Sequence, residues 1–446
     1  MMFSGLFVKK DSAIRGIAVL GMIILLAANI LEMRDGSFFS FDTRNMLSFD
    51  SFSLLFNAVA FACTLMFFLL SGRNMRTVGD SPADYYALMF FVLCGVSIVS
   101  SFNTLLMLFL GIEIISIPLY VLTGADKRNL KGNEASLKYL LMGAFSTGLM
   151  LMGITLVYGA KGSFDMEVIG TGNTEITPLM SAGLLLLMFS MAFKVSAAPF
   201  HFWTPDVYDG APTVVTSFMA TIVKAAGFIA FIRLFMGCFA GLQGHWQLAT
   251  AIIAASTLVI GNVTAIFQQS VKRMLAYSSI SQAGFMMFAI VSLNSIAVEG
   301  LLYYALAYCM ATIGAFAILA RMSDYTFEGY NGLGKHHPAL AATNTVFLLS
   351  LAGIPATAGF MGKFYMLSAA INNGNVLWLV VLGVVCAAIS VYYYFRVIQA
   401  MYFKDGPRQE IEAGSGFKIL LAILSAAIVL LGVFPQTIID LLYYFF

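Results

Sequence analysis

A succession of long apolar runs constrains this chain more than any other feature. The runs have roughly the length that crosses a bilayer, and few charged residues interrupt them. Hydrophobic residues make up 60% of the sequence, charged residues 10%, and the mean hydropathy is +0.89, values far from those of soluble proteins. The sequence therefore predicts an all-α polytopic membrane protein with about 13 transmembrane helices. The runs cover residues 13–31, 51–71, 85–101, 104–122, 135–158, 179–199, 213–236, 247–267, 274–293, 298–320, 339–370, 376–403 and 417–434.

Charge and cysteine content exclude several classes of function. The net charge of +2 and the lack of a dense basic tract argue against a nucleic-acid partner. The five cysteines stand singly in apolar stretches, without a CxxC pair, which indicates neither a disulfide framework nor an iron–sulfur site. The basic start lacks a convincing small-residue cleavage site after it, so we expect a retained first helix rather than a signal peptide.

The distribution of loop lysines and arginines predicts the orientation of the chain. With thirteen spans, one face collects most of them and the other face only Arg34, Arg44 and Lys161. Because the basic face of a bacterial membrane protein is usually cytoplasmic, we expect a cytoplasmic N-terminus. The residues of the basic face are Lys9, Lys10, Arg15, Arg73, Arg76, Lys127, Arg128, Lys131, Lys272, Arg273, Arg321, Lys335, Lys404, Arg408 and Lys418.

One apolar run is interrupted beside a charge. Lys194 ends the apolar stretch 184–193, and three prolines follow, at positions 199, 205 and 212. Proline removes the backbone donor that would continue a helix, so the helix must break there. Irregular backbone at membrane depth is tolerated only where protein covers it or where it lines a wet cavity, which makes this break a functional-site hypothesis. The alternative is a short re-entrant loop with a lysine that snorkels to the interface.

Four further ionisable residues inside predicted spans are candidate site residues. Lys224 and Lys363 have apolar neighbours on both sides, and Glu113 lies in the middle of the fourth span. An unpaired carboxylate there would be costly, so we expect Glu113 to pair with Lys194, Lys138 or both. Lys138 stands a turn or so into its helix, four residues after Glu134, and an ordinary interfacial ion pair is an equal alternative for it.

A second interruption, at Pro355, suggests an internal repeat. Spans three to seven and eight to twelve form two sets of five, and the fourth member of each set is the interrupted one. Because five is odd, the second set enters the membrane with inverted topology, as in inverted-repeat transporters. We predict N-terminal helices over 1–82, a first inverted repeat over 83–236, a second over 246–403 and a C-terminal helix over 404–446.

Five motifs of the chain belong together: Gly111–Tyr120 (GIEIISIPLY), Glu134–Tyr139 (EASLKY), Phe193–Pro212 (FKVSAAPFHFWTPDVYDGAP), Val271–Gly284 (VKRMLAYSSISQAG) and Gly353–Phe364 (GIPATAGFMGKF). Together they resemble a known family, the N subunits of bacterial respiratory complex I, NADH:quinone oxidoreductase. The resemblance runs over nearly the whole chain, and the motif that begins at Phe193 is specific for the wider antiporter-like group, which includes the L and M subunits and the Mrp antiporters. The EASLKY motif and a lysine at position 363 favour N over M, and no long lateral helix follows the last span, as L would require.

The resemblance implies that Glu113, Lys138, Lys194, Lys224 and Lys363 form the family's row of proton-translocating residues. It implies a place in the bacterial inner membrane, among the other membrane-arm and peripheral-arm subunits of complex I. NADH, flavin mononucleotide, iron–sulfur clusters and quinone would belong to those partners, with no cofactor in this chain. The family's N subunits usually carry one span more, so the resemblance also implies that the first helix is absent or that the true start lies upstream.

Three other functions remain possible on the sequence alone. A subunit of an Mrp-type cation/proton antiporter would share most of these residues. A structural scaffold would use the buried charges only to lock helices together, and it predicts that neutral substitutions leave pumping intact. A quinone-binding redox subunit is less well supported, because the sequence contains no haem, flavin or cluster motif.

Overall fold

The computed structural model describes residues 1–8, 10–35, 42–171, 176–372, 375–407 and 409–436. The described residues form α-helices joined by turns, with isolated β-bridges as their only extended pairing, which confirms the predicted all-α fold. In chain order the helices are α1 (Met2–Phe7), α2 (Asp11–Asp35), α3 (Ser51–Ser71), α4 (Pro82–Ser101), α5 (Leu105–Thr123), α6 (Leu130–Lys161), α7 (Met166–Thr171), α8 (Pro178–Lys194), α9 (Trp203–Gly210), α10 (Thr213–Phe218), α11 (Lys224–Cys238), α12 (Gln243–Ile266), α13 (Val271–Ser292), α14 (Ser295–Leu319), α15 (Leu333–His336), α16 (Pro338–Ala352), α17 (Ala358–Ile371), α18 (Leu377–Phe403) and α19 (Ser415–Val433).

Eleven helical stretches in the described ranges are long and apolar enough to cross a membrane. One of them joins α10 and α11 through a π-helical turn, Met219–Val223. Two shorter apolar helices, α8 and α16, are the first halves of the two interrupted segments. The total of about 13 spans stays a prediction. Lys9 and Arg408, two of the basic residues that predict the orientation, lie outside the described residues.

Local capping signals explain where several helices begin. The Asp50 carboxylate accepts a hydrogen bond from the Ser53 backbone N–H at 2.8 Å at the start of α3. The Thr177 hydroxyl accepts from the Met180 N–H at 3.2 Å at the start of α8, where Pro178 occupies the first helical position. Such caps satisfy backbone donors that a helix leaves free at its first turn, and proline there forfeits no bond.

Contacts between loops assign the helix ends to two faces. On one face, which we call the basic face, Lys138 and Arg273 both reach Asp206, which joins the starts of α6 and α13 to α9. On the opposite face the Arg233 guanidinium of α11 lies 2.7 Å from the Asp50 carboxylate. Further contacts on the basic face are Arg76 with Asp11, Asn74 with the Ala320 carbonyl at 2.6 Å, and Lys335 with Asp405.

The two predicted five-helix sets use the same packing partners. In the first set α4 packs on α5, and α6 packs on both halves of the interrupted segment, α8 and α9. In the second set α12 packs on α13, and α14 packs on both α16 and α17. The first helix of each set also contacts the last one, α4 with α11 and α12 with α18. Contacts of α13 with α9, and of α14 with α10, join the two sets along a central seam.

Close packing at the second interruption leaves no room for a side chain at Gly359. The backbone N–H of Gly359, at the start of α17, donates to the Ser350 hydroxyl of α16 at 3.1 Å. A methyl group at Gly359 would overlap the Ser350 carbonyl oxygen. We expect Gly359→Ala to destabilise the chain by about 1–3 kcal/mol or more, since overpacking against backbone forces helices apart. Immunoblots of membranes should show less of this variant than of Gly148→Ala, whose added methyl meets no atom within 4 Å; equal amounts would contradict the packing.

Candidate buried charge pathway

The first interruption lies where it was predicted, and protein covers its backbone. Helix α8 ends at Lys194, and α9 begins at Trp203. Between them the Ala198 N–H donates to the Thr257 hydroxyl at 2.8 Å, and the Ser256 hydroxyl donates to the Ala198 carbonyl at 2.9 Å. The Trp203 indole N–H donates to the Phe193 carbonyl at 3.1 Å. These partners satisfy groups that would otherwise be costly at membrane depth.

Lys194 points into a small internal cavity. Its Nζ donates to the Ser116 hydroxyl at 3.1 Å. We call this space the inner cavity; it has a volume of about 20 Å³, enough for about one water molecule. It is lined by Val99, Ile112, Ile115, Ser116, Tyr139, Phe193, Lys194, Trp203, Val223 and Gly227.

The predicted pairing of Glu113 with Lys194, Lys138 or both is not made at contact distance. Within the described residues, no lysine, arginine or histidine nitrogen lies within 4.0 Å of its carboxylate, and its Oε1 is buried without a hydrogen-bond partner. Glu113 lies one helical turn before Ser116, and it interacts with Lys194 only through space. The Lys194 ammonium is satisfied by Ser116, and Lys138 is held by other carboxylates, which explains the missing contact.

Lys138 occupies the mouth of a larger cavity at the basic face. Its Nζ lies 2.8 Å from Glu134 and 3.0 Å from Asp206, and 42% of its side chain is exposed. The interfacial pair with Glu134 is therefore present, but Asp206 adds a second partner from the interrupted segment. The cavity, which we call the vestibule, has a volume of about 170 Å³ and is lined by Lys131, Glu134, Ala135, Lys138, Asp206, Asp209, Gly210 and Arg273.

Lys224 lies at the seam between the two five-helix sets and is 2% exposed. It follows the π-helical turn, a feature that often marks functional positions in helices. Its Nζ donates to the carbonyl and the hydroxyl of Ser279 on α13, both at 3.0 Å. The same nitrogen lies 5.7 Å from the centre of the Tyr208 ring, close enough for a cation–π contact.

Polar side chains lie between this point and Lys363. The Ser278 hydroxyl lies 2.5 Å from the Tyr394 hydroxyl, and the Gln282 amide donates to that hydroxyl at 3.0 Å. The Gln282 amide also donates to the Leu351 carbonyl at 2.8 Å. Lys363 donates to the same carbonyl at 2.8 Å, so these contacts end on its ammonium group.

Lys363 occupies the second interruption and is 4% exposed. Besides Leu351, it donates to the Ala352 carbonyl at 2.9 Å, and it lies 4.7 Å from the centre of the Phe285 ring. It therefore holds carbonyl groups that the end of α16 leaves free. Within the described residues, no carboxylate lies within 4.0 Å of the Lys224 or Lys363 ammonium group.

Two residues with structural ties to this site, Lys272 and Asp206, do not stand out in the sequence. Lys272 was assigned to the loops of the basic face, but it is 3% exposed and donates to the carbonyls of Asp209 at 2.8 Å and Ala211 at 2.6 Å. Asp206 was not singled out, although it joins Lys138 to Arg273. The acidic residues of the proline-rich stretch after Lys194 are the sequence signal that could have indicated Asp206. A carboxylate next to a helix break at membrane depth requires a basic partner.

Comparisons with known proteins agree with this architecture. The profile of a family described as "NADH:quinone oxidoreductase/Mrp antiporter, TM" matches residues 103–390. The NADH-quinone oxidoreductase subunit N of Cytophaga hutchinsonii is 41% identical over 89% of this chain and 87% of its own length. That of Desulforamulus reducens is 38% identical over 97% and 91%.

Solved structures show the same likeness. A chain of the respiratory complex I from Thermus thermophilus with bound aureothin superposes with a TM-score of 0.83 at 32% identity, covering 96% of this chain and 94% of that one. A chain of the Mrp complex from Dietzia sp. shares the fold, with a TM-score of 0.82 at 18% identity and coverage of 97% and 91%. This chain therefore belongs to the NADH:quinone oxidoreductase/Mrp antiporter membrane family, within the group of N subunits of NADH-quinone oxidoreductase.

Proposed function

We propose that this chain is a proton-translocating membrane subunit of an NADH:quinone oxidoreductase, complex I. Protons move along Glu113, Lys138, Lys194, Lys224 and Lys363, and quinone reduction in other subunits drives them. As a subunit of that enzyme the chain takes part in a translocase reaction, while NADH, flavin, iron–sulfur clusters and quinone belong to its partners. Those partners are the other membrane-arm and peripheral-arm subunits.

The polar contacts between Lys224 and Lys363 carry this proposal. Lys224 donates to Ser279, and the preceding residue of α13, Ser278, is hydrogen-bonded to Tyr394. Gln282 donates to Tyr394 and to the Leu351 carbonyl, which Lys363 also holds. The hydroxyl groups of Ser279, Ser278 and Tyr394 donate and accept at once, so they can hand a proton along. The gap between Ser279 and Ser278, and the stretch from Tyr394 past Gln282 to Lys363, need bridging water, because an amide and a carbonyl cannot relay a proton. A scaffold needs each buried ammonium group satisfied, but it does not need these groups joined to one another.

Charge pairing with Glu113 would switch Lys194 between holding and releasing a proton. Two unit charges about 4 Å apart at an effective dielectric near 20 interact by about 4 kcal/mol. Such an interaction changes a protonation equilibrium by roughly a thousandfold, since each 1.36 kcal/mol is a factor of ten. Glu113 lies outside contact with Lys194, whose ammonium donates to the hydroxyl of Ser116, one helical turn after Glu113. An approach of the Glu113 carboxylate would favour the protonated lysine, and its retreat would favour release.

We also propose the inverted repeats, residues 83–236 and 246–403, flanked by 1–82 and 404–446. The matching helix partners in both sets support them. The positive-inside rule supports a cytoplasmic basic face, with the N-terminus on that side of the bacterial inner membrane. In that orientation the vestibule beside Lys138 opens to the cytoplasm, and the inverted second set leads from Lys363 toward the other side.

The relatives favour this function over an Mrp-type antiporter. The compared proteins named as subunit N reach 41% identity, whereas the Mrp likeness at 18% identity concerns the fold alone. In the proposed complex the two tasks are divided between subunits. This chain holds proton-transfer groups, and its partners carry out electron transfer.

Replacing the central carboxylate tests the proposal. We expect Glu113→Gln to lower NADH-driven proton pumping by roughly tenfold or more, since a positioned proton-transfer group contributes about 10²–10⁴-fold. Glu113→Asp keeps the charge and should retain part of the pumping. The measurement is the quenching of a pH-sensitive dye in inside-out membrane vesicles, normalised to the amount of assembled complex. Wild-type pumping in Glu113→Gln would exclude a role for this carboxylate.

A further inference from the structure

The vestibule and the inner cavity are separate spaces, although they lie next to each other. Their linings share no residue. They nevertheless meet on two helices: Lys138 of the vestibule is followed on α6 by Tyr139 of the inner cavity, and Asp206 lies three residues after Trp203 on α9. Whatever separates the two spaces must therefore lie between α6 and α9.

Two aromatic rings fill that position. The rings of Tyr139 and Trp203 stack with centroids 4.8 Å apart and planes 7° from parallel. Tyr139 is 7% exposed and Trp203 is 4% exposed. Tyr120 closes one side, with its ring 4.7 Å from that of Tyr139, and Phe193 closes another, 5.5 Å from Trp203. A stack of this kind leaves no room for a water molecule to pass.

Ion pairs hold the helix that carries Trp203. Asp206, one turn further along α9, binds Lys138 at 3.0 Å and Arg273 at 3.1 Å. Lys272 holds the carbonyls of Asp209 and Ala211 at the end of the same helix. Because α9 has eight residues and an irregular segment before it, these contacts hold Trp203 in place together with the bond from its indole N–H to the Phe193 carbonyl.

We propose that the Tyr139–Trp203 stack is the barrier between the vestibule and Lys194, and that Asp206 is the positioning residue that keeps Trp203 in it. Opening requires α9 to move away from α6, which separates the rings and joins the two cavities. The Lys138–Asp206 pair then links the charge at the vestibule to access to Lys194. This inference rests on the proposed function, because it takes Lys194 as a proton site.

Thiol accessibility tests the barrier without reference to pumping. Ile115 lines the inner cavity, and Cys94 is the exposed one among the five cysteines. In purified complex carrying Cys94→Ser and Ile115→Cys, a small charged methanethiosulfonate reagent should label the new thiol slowly. A minor open state is populated at about 0.1–10%, so Trp203→Ala should speed labelling by roughly tenfold or more. Tyr139→Ala should do the same from helix α6.

Matched variants distinguish opening of the barrier from a general loosening of the helix packing. Phe202 is 68% exposed and adjoins Trp203, so Phe202→Ala should leave the labelling rate unchanged. Trp203→Phe keeps a ring and should stay within about twofold of the parent, far below the tenfold change that marks an open state. Asp206→Asn should speed labelling, and Asp206→Glu should restore the slow rate. The native thiol of Cys238, buried away from the stack, should stay unlabelled throughout.

Two results would overturn the inference: labelling in Trp203→Ala and Tyr139→Ala as slow as in the parent, or labelling in the parent as fast as in both variants. Either would show that the stack does not limit access to the inner cavity. Failure of the proposed function would appear in a different measurement, as wild-type pumping in Glu113→Gln. That result would leave the labelling rates unaffected.

Discussion

Lys363→Arg is expected to abolish NADH-driven proton pumping while the complex still assembles. Arginine remains protonated throughout the physiological range, so it cannot release a proton. Its guanidinium can nevertheless donate to the carbonyls of Leu351 and Ala352 that Lys363 holds at 2.8 and 2.9 Å. The substitution therefore preserves carbonyl capping and removes proton exchange. Dye quenching in inside-out vesicles measures the pumping, and blue-native gels measure assembly.

Lys272 provides a matched control for this variant. It is also buried, and it also donates to two carbonyls at the end of a helix, those of Asp209 and Ala211. Lys272→Arg keeps that role, and we expect pumping to survive because arginine can donate to the same two carbonyls and Lys272 is not one of the proposed proton-transfer residues. If vesicles with Lys363→Arg pump at the wild-type ratio, Lys363 serves only to cap the backbone.

Lys224→Gln is expected to reduce pumping at least about tenfold, with a smaller effect on assembly. The glutamine amide can still donate to Ser279, whose carbonyl and hydroxyl now accept from Lys224, so the packing of α11 on α13 is retained. The amide cannot carry a proton at neutral pH. Vesicle pumping should therefore fall while the amount of chain in the membrane stays near that of the parent. Equal losses of both would support the scaffold function instead.

The position of each interruption could be predicted because its cause is local. Pro199 and Pro355 remove helix donors within apolar runs, and the structure places breaks there. The burial of Lys224 and Lys363 followed for the same reason, since their immediate neighbours are apolar over several positions. Such patterns depend on residues that are close in sequence.

Partners that come from distant helices could not be predicted in this way. Lys138 pairs with Asp206 because α9 turns back onto α6 after the break. Lys272 stands beside Arg273 and looks like a loop residue, yet α9 covers it. Tyr394 and Gln282 contact each other across more than a hundred residues of sequence, and nothing in their local surroundings indicates a shared role.

The proton-to-NADH ratio of the purified complex in proteoliposomes tests the central claim most directly. It should be measured for the parent and for Lys224→Gln at matched rates of NADH oxidation, so that electron transfer is the same in both. The row of buried charges predicts a lower ratio for Lys224→Gln, because electrons still reach quinone while this subunit no longer transfers its protons. An unchanged ratio would show that protons cross the membrane without Lys224, and it would contradict the account.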